Sequence, residues 1–287
     1  MTRHEIEATV FDLYDEYCHG QISRRQFFER AGSAGALMAT AMLPNYASGQ
    51  EVLFTDERIK AQWVNYPSPG GNSGEMRGYL VQPAGEGPFP AVVVIHENRG
   101  LNPYVQDVAR RAALAGFLAL APDGLYPVGG YPGNDDEGRV LQRNLDSAKL
   151  ATDIENSARF VKAHTLSTGK LGATGFCWGG GMANALATRM GTDIHAVAPY
   201  YGRAADTSAV PGITAAVQVH YADNDPRVNA MRDDYEQALQ AADVTYEMHS
   251  YPETRHGFHN YSTPRYDAEA SALSWQRTMA WFTKHLT

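Results

Sequence analysis

The spacing of apolar side chains changes once along the chain, near residue 50. Between residues 4 and 18, apolar side chains recur at the three- and four-residue steps of an amphipathic helix, and Gly20 is typical of a helix stop. Ser23 suits the N-cap of a second helix. From Glu51 onward, short β-branched runs alternate with helical stretches. The pattern predicts a helical extension over residues 1–50 and an α/β domain over residues 51–287.

The strand pattern of the second part indicates a mostly parallel sheet. Ala91–Ile95 is a continuous apolar run of the kind found in strands that are buried on both faces. Because most connections are long enough for a crossover helix, we expect helices on both faces of the sheet. Strands are predicted at 60–66, 77–82, 91–95, 117–121, 170–174, 196–201, 215–220 and 245–250, and helices at 103–115, 135–164, 180–190, 228–241 and 265–285.

One segment has the form of a nucleophile elbow, with a glycine two residues before and two residues after the reacting side chain. It is Gly175-Phe176-Cys177-Trp178-Gly179, between a predicted strand and a predicted helix. The glycines permit the strained turn because side chains at those positions would clash. A helix N-terminus also favours a thiolate and offers N–H groups to an oxyanion. Cys177 is therefore the predicted nucleophile.

An elbow of this kind needs an acid and then a histidine further along the chain, each following a strand. Asp223 and Asp225 follow the seventh predicted strand, and Asp225 is preferred because it stands three residues before Val228. His256 and His259 follow the last predicted strand, and His256 is preferred because a Gly-Phe pair follows it. The order Cys, Asp, His matches the order of α/β-hydrolase triads.

Several motifs taken together resemble those of one family. They are His96-Glu97-x-x-Gly100, Ala121-Pro122-Asp123, the G-F-C-W-G-G run around Cys177, the D-x-x-V motif at Asp225 and the H-G-F motif at His256. Over most of residues 75–285 the chain resembles the dienelactone hydrolase family. The resemblance implies an α/β-hydrolase fold and the hydrolysis of a small ester or lactone through a thioester intermediate.

The resemblance also implies roles for residues around the nucleophile. In the family, a glutamate matched here by Glu97 contacts the cysteine and is thought to take its proton when substrate binds. A neutral resting thiol would be protected from oxidation until then. The backbone N–H groups of Trp178 and Asn98 would bind the oxyanion.

The sequence departs from the family where substrate is held. The best-known members bind a substrate carboxylate with arginines at two places that are occupied here by Tyr126 and by His259 with its neighbour. Arg99, Tyr126 and Phe258 are the candidate substrate contacts in this chain. Hydrolysis of another acyl bond, such as a thioester or peptide, and a thiol sensor on a hydrolase scaffold are the alternatives. The complete acid and histidine favour a hydrolase because a sensor needs neither.

The N-terminal segment has two interpretations. Residues 23–28, Ser-Arg-Arg-Gln-Phe-Phe, resemble a twin-arginine export signal, and a weakly apolar tract and a possible cleavage region at 44–48 follow. The alternative is a helical hairpin packed on the α/β domain, with Arg24 and Arg25 in solvent. The first interpretation predicts a periplasmic protein and the second a cytoplasmic one.

Charge and cysteine usage exclude other classes of protein. The 287 residues carry a formal net charge of −8, which disfavours a nucleic-acid partner. The apolar tract near the N-terminus is too short for a membrane span. The two cysteines, Cys18 and Cys177, form neither a disulfide framework nor a zinc-ligand pair. We expect a small-molecule substrate and neither metal nor cofactor, while the oligomeric state is not predicted.

Overall fold

The computed structural model describes residues 3–41 and 49–287, with side chains from Thr9 to Gly32 and from Gly49 onward. The predicted cleavage region at 44–48 lies outside the described residues. Two helices come first and are followed by an α/β domain. They are α1 (Arg3–Cys18) and α2 (Arg24–Ala41).

An eight-stranded sheet forms the centre of the α/β domain. Its strands are β1 (Ile59–Ser68), β2 (Gly74–Pro83), β3 (Phe89–Ile95), β4 (Leu118–Pro122), β5 (Ser167–Phe176), β6 (Ala196–Tyr200), β7 (Ala216–Asn224) and β8 (Tyr246–Arg255). In space they follow the order β1-β2-β4-β3-β5-β6-β7-β8. The β1–β2 and β2–β4 pairs are antiparallel and all other neighbouring pairs are parallel. The prediction of a mostly parallel sheet is confirmed.

The helices of the α/β domain connect these strands. They are α3 (Pro103–Leu114), α4 (Asp135–Asn144), α5 (Ser147–Lys162), α6 (Trp178–Arg189), α7 (Pro226–Asn229), α8 (Arg232–Ala241) and α9 (Ala268–Leu286). The single helix expected over 135–164 is wrong, since the chain forms α4 and α5 instead. Asp146 separates them because its side chain accepts hydrogen bonds from the N–H groups of Ala148 and Lys149 and so caps α5. The helix expected over 228–241 is likewise divided into α7 and α8.

Two apolar layers cover the sheet, one on each face. Residues 91–95 of β3 have no exposed surface, and their side chains alternate between the layers. Val92 and Val94 contact the layer that contains residues of α3 and α9, and Val93 and Ile95 contact the layer that contains residues of α5 and α6. Burial on both faces explains why this strand is apolar at every position.

The helices α1 and α2 form a hairpin with an apolar cluster of its own, made of Val10, Leu13, Tyr14, Tyr17, Cys18 and Phe27. Ser23 begins α2 with a capping box, in which its Oγ accepts from the Gln26 N–H and the Gln26 side chain accepts from the Ser23 N–H. Arg24 and Arg25 are exposed and pair with Asp136 and Glu29. Among the described residues, no helix has the length and hydropathy needed to cross a bilayer.

The start of α6 touches the end of β6 with no space between the backbones. A Cβ on Gly202 would lie 2.3 Å from the carbonyl carbon of Gly180 and 2.3 Å from the nitrogen of Gly181. A Cβ on Gly180 would lie 2.4 Å from the carbonyl oxygen of Tyr200. This contact fixes α6, and the residue that precedes it, against the carboxyl end of the sheet.

We expect Gly202→Ala to destabilise the protein by roughly 1–3 kcal/mol because backbone atoms cannot move aside for the new methyl group. Gly212→Ala is the matched control, since a Cβ there meets nothing within 4 Å. Urea unfolding followed by circular dichroism measures both variants. Equal unfolding midpoints for the two would show that the contact is less rigid than described.

Candidate active site

The elbow places Cys177 in a backbone conformation that side-chain-bearing residues rarely adopt. Its φ and ψ are 55° and −113°, between the last residue of β5 and the first residue of α6. A Cβ on Gly175 would lie 2.3 Å from the carbonyl oxygen of Gly179, and a Cβ on Gly179 would lie 2.4 Å from that of Ile95. Both glycines are therefore required by close backbone contacts, as the elbow motif predicts.

Asp225 and His256 come together behind the elbow, at the ends of β7 and β8. The His256 Nδ1 lies 2.6 Å from the Asp225 Oδ2, and both side chains are buried. Asp225 also accepts a hydrogen bond from the Val228 N–H, which holds the carboxylate at the start of α7. Asp223 is exposed, and His259 is buried elsewhere, with its Nδ1 2.7 Å from the Tyr104 hydroxyl. Of the two candidate aspartates and the two candidate histidines, the structure brings together the preferred pair, Asp225 and His256.

The charges of Cys177 and His256 stabilise each other. Ring nitrogens of His256 and His19 and the Cys177 Sγ all lie within 4.8 Å of one another. Burial opposes charge on both Cys177 and His256, but their mutual attraction outweighs it. The pKa of Cys177 falls well below its usual value, and that of His256 rises to about 10, with Asp225 contributing to the rise. Each charged form is therefore favoured by the presence of the other.

Glu97 faces other partners than the thiol. Its carboxylate is 2% exposed, accepts a hydrogen bond of 2.8 Å from the Asn260 side chain and lies 3.6 Å from the Arg99 Nε. The pKa of Tyr201 lies well above its usual value. Burial raises it most, and the charges of Glu97 and Cys177 raise it further. No hydrogen bond joins Glu97 to Cys177 in the part of the chain that the structure describes.

A cavity of about 620 Å³ opens beside Cys177. Its walls combine apolar side chains with two arginines and one aspartate, and they include Trp178, Met182, Ala185, Tyr201, Arg203, Asp206 and Arg227. Asn98, the second predicted oxyanion donor, also lines it, and its side-chain amide donates to the carbonyl oxygen of Cys18. The backbone N–H groups predicted to bind an oxyanion thus belong to residues on the cavity wall.

The three predicted substrate contacts lie away from this wall. The Arg99 guanidinium is buried and donates to Asp135 over 2.8 Å. The Tyr126 hydroxyl donates to Glu75 at the surface. Phe258 is fully buried and packs against the rings of Tyr201 and Tyr251. Each side chain is held by its own surroundings, and Arg203 and Arg227 are the arginines that line the cavity.

Sequence reasoning missed His19, which follows α1 and lies on the cavity wall beside Cys177. Its ring meets the His256 ring edge-on at a centroid distance of 4.7 Å. Its only sequence signal is a histidine after an amphipathic helix, which is too common to indicate a site. Only the packing of the hairpin on the α/β domain reveals the contact.

Comparison with known proteins agrees with the fold. Residues 76–286 match the model of the dienelactone hydrolase family, and residues 1–36 match a YqhI-like model. A "Putative hydrolase fragment YghX" of Escherichia coli (strain K12) is 65% identical over 104 residues, covering 36% of this chain and 88% of that protein. A "Putative carboxymethylenebutenolidase" of Yersinia pestis is 31% identical over 226 residues, covering 74% of this chain and 84% of that protein.

Among solved structures, a protein described as a putative dienelactone hydrolase from Klebsiella pneumoniae subsp. pneumoniae MGH 78578 superposes with a TM-score of 0.69. It is 27% identical, and the match covers 79% of this chain and 99% of that one. The strand order and the elbow define an α/β-hydrolase. With the family model matched over most of the chain, the protein belongs to the dienelactone hydrolase family and is an ester or lactone hydrolase.

We expect Cys177→Ala to lower the pKa of His256 by about one to three pH units, because the substitution removes an anion next to the imidazolium. NMR titration of protein labelled at histidine measures this value. His220 is the internal control, since it is buried, away from the elbow, and should keep its low pKa. An unchanged His256 titration would contradict the ion pair.

Proposed function

We propose that the protein hydrolyses small esters or lactones with a Cys-His-Asp triad through a thioester intermediate. The observation that carries the proposal is the arrangement of Cys177 on a strained elbow at a helix N-terminus, with the His256–Asp225 pair behind it. An inert buried cysteine would need neither the left-handed backbone nor the paired histidine. The neighbouring cavity has a volume suited to a small molecule.

In the first half of the reaction, the Cys177 Sγ attacks the carbonyl carbon of the substrate and the carbonyl oxygen becomes an oxyanion. The backbone N–H groups of Trp178 and Asn98 are the proposed donors to that oxyanion. As the carbon–oxygen bond breaks, His256 gives its Nε2 proton to the leaving alkoxide. The products are a thioester on Cys177 and an alcohol, which stays attached to the acyl group when the substrate is a lactone.

In the second half, neutral His256 removes a proton from a water molecule, which attacks the thioester carbon. Collapse of the second tetrahedral intermediate releases the carboxylic acid and returns the thiolate. Asp225 holds the imidazole through Nδ1, which leaves Nε2 directed toward the reacting groups. Cys177 and His256 thus return to their starting states.

For Glu97 we propose a supporting role at the wall of the site. The family resemblance assigns it the cysteine proton, but the lowered pKa of Cys177 beside His256 leaves less need for a further acceptor. One carboxylate oxygen of Glu97, Oε2, is held by Asn260 and Arg99. Those two contacts position the loops that follow β3 and β8, which carry Asn98 and His256.

Replacement of the nucleophile or base should abolish turnover. We expect Cys177→Ala and His256→Ala each to lower kcat for 4-nitrophenyl esters or simple lactones by about a hundred- to ten-thousand-fold or more. Cys18→Ala is the control, because it removes the other cysteine and leaves in place the backbone carbonyl that binds Asn98. Mass spectrometry of parent protein quenched during turnover should find the acyl group on Cys177. Full activity of folded Cys177→Ala would overturn the proposal.

The two aspartates of the β7 loop provide a second test. Asp225→Asn should reduce kcat by roughly 10³–10⁴-fold, because the amide no longer fixes the required imidazole tautomer. Asp223→Asn removes the same charge from an exposed position two residues away and should have little effect. Steady-state kinetics on one ester decides between them. A larger loss of kcat in Asp223→Asn than in Asp225→Asn would show that Asp225 is not the acid of the triad.

A further inference from the structure

The hairpin brings a second histidine to the nucleophile. His19 belongs to the N-terminal extension, whereas Cys177 and His256 belong to the α/β domain. Nevertheless, its ring lies on the cavity wall and contacts the His256 ring, and a ring nitrogen lies within 4.8 Å of the Cys177 Sγ. The two histidines thus both face the same sulfur.

Charged groups hold the His19 ring from two sides. Its Nδ1 lies 2.8 Å from the backbone oxygen of Asp15 and 3.3 Å from the carboxylate of that residue. Its Nε2 lies 2.7 Å from the Arg227 Nη2. Because arginine can only donate, this contact forms only while the ring is neutral, with Nδ1 protonated. Protonation of Nε2, which the anions Asp15 and Cys177 favour, ends the contact with Arg227 and supplies a second cation beside Cys177.

The helix that precedes His19 is attached to the α/β domain by several arginines. The Asp15 carboxylate pairs with Arg265 over 2.9 Å, and Asp12 pairs with Arg255 over 2.8 Å. The guanidinium of Arg139 lies over the Tyr17 ring at 4.4 Å from its centroid. These contacts do not involve the His19 side chain, so α1 stays in place when that side chain is changed.

We propose that His19 is an additional active-site residue, which stabilises the Cys177 thiolate alongside His256, so that the N-terminal hairpin is a working part of the enzyme. The proposal rests on the proposed role of Cys177 as nucleophile. It also implies that cleavage within residues 44–48 would remove a residue of the active site. On this proposal, the active enzyme keeps its N-terminal segment.

The electrostatics around the site agree with this role. Burial opposes the thiolate, while the nearby His256 and then His19 favour it. For His19 itself, burial lowers the pKa, but Asp15 and Cys177 outweigh burial and raise it to about 9. The groups that face His19 are therefore Asp15 from α1, Cys177 from the elbow, Arg227 from α7 and His256 from the loop after β8.

The test is the pH dependence of Cys177 alkylation by iodoacetamide in the full-length protein, with the modified residue located by mass spectrometry. We expect His19→Gln to raise the pKa of Cys177 by about one to two pH units, the value of a hydrogen bond to a charged group. Turnover at neutral pH should fall, and the deficit should shrink as the pH rises. His164→Gln is the matched control, because that histidine caps a turn at Leu166, away from the cavity.

A His19→Gln variant that is alkylated with the pH profile of the parent overturns the proposal, whatever its activity. Alkylation needs no substrate, so this result is independent of the Cys177→Ala turnover experiment, which tests the proposed function. A merely structural role for His19 would lower the melting temperature without moving the alkylation profile.

Variants at Asp15 and Asp12 distinguish two effects on Cys177, namely loosening of the hairpin and a change at the His19 side chain. Both carboxylates pair with arginines of the α/β domain, but only Asp15 also contacts His19. We expect Asp15→Asn to shift the Cys177 alkylation profile in the same direction as His19→Gln, whereas Asp12→Asn leaves it unchanged. Equal shifts in both variants would assign the effect to loosening of α1 and overturn the role of the side chain.

Discussion

The reacting groups depend on a contact among backbones that leaves no room for side chains. At the elbow, Gly175 approaches Gly179, Gly179 approaches Ile95 at the end of β3, and Gly180 meets Gly202 after β6. A left-handed cysteine costs of order 1–3 kcal/mol and persists only where its surroundings enforce it. The glycine contacts provide that enforcement, because they join three strand ends and one helix start into a single rigid unit.

The rigid elbow also makes the charges of the site interdependent. The elbow fixes the backbone of Cys177, and His256 is held by Asp225. A cation beside Cys177 favours its thiolate and lowers its pKa, despite burial. His19 adds a second nitrogen to the same small volume. The local charge balance is therefore shared between two parts of the chain that are distant in sequence.

The sequence predicted those features that depend on local pattern. The apolar run of β3, the elbow glycines and the order of acid and histidine follow from strand burial, backbone crowding and the topology of a parallel sheet. The break between α4 and α5 was missed because Asp146 acts as a cap inside an otherwise helical pattern. Arg203, Arg227 and His19 could not be placed on the cavity because their positions depend on long-range packing, which no periodicity encodes.

The hairpin binds the α/β domain as part of the same chain, so the contact between them is intramolecular. Ion pairs with Arg255 and Arg265 and a cation–π contact with Arg139 join α1 to the α/β domain, and Asp12 lies largely in solvent. Salt screens exposed charges of this kind more strongly than buried ones. The tether keeps the effective concentration of α1 high, so dilution cannot separate the two parts. Ionic strength, unlike protein concentration, should therefore weaken the exposed Asp12–Arg255 pair before the more buried Asp15–Arg265 pair.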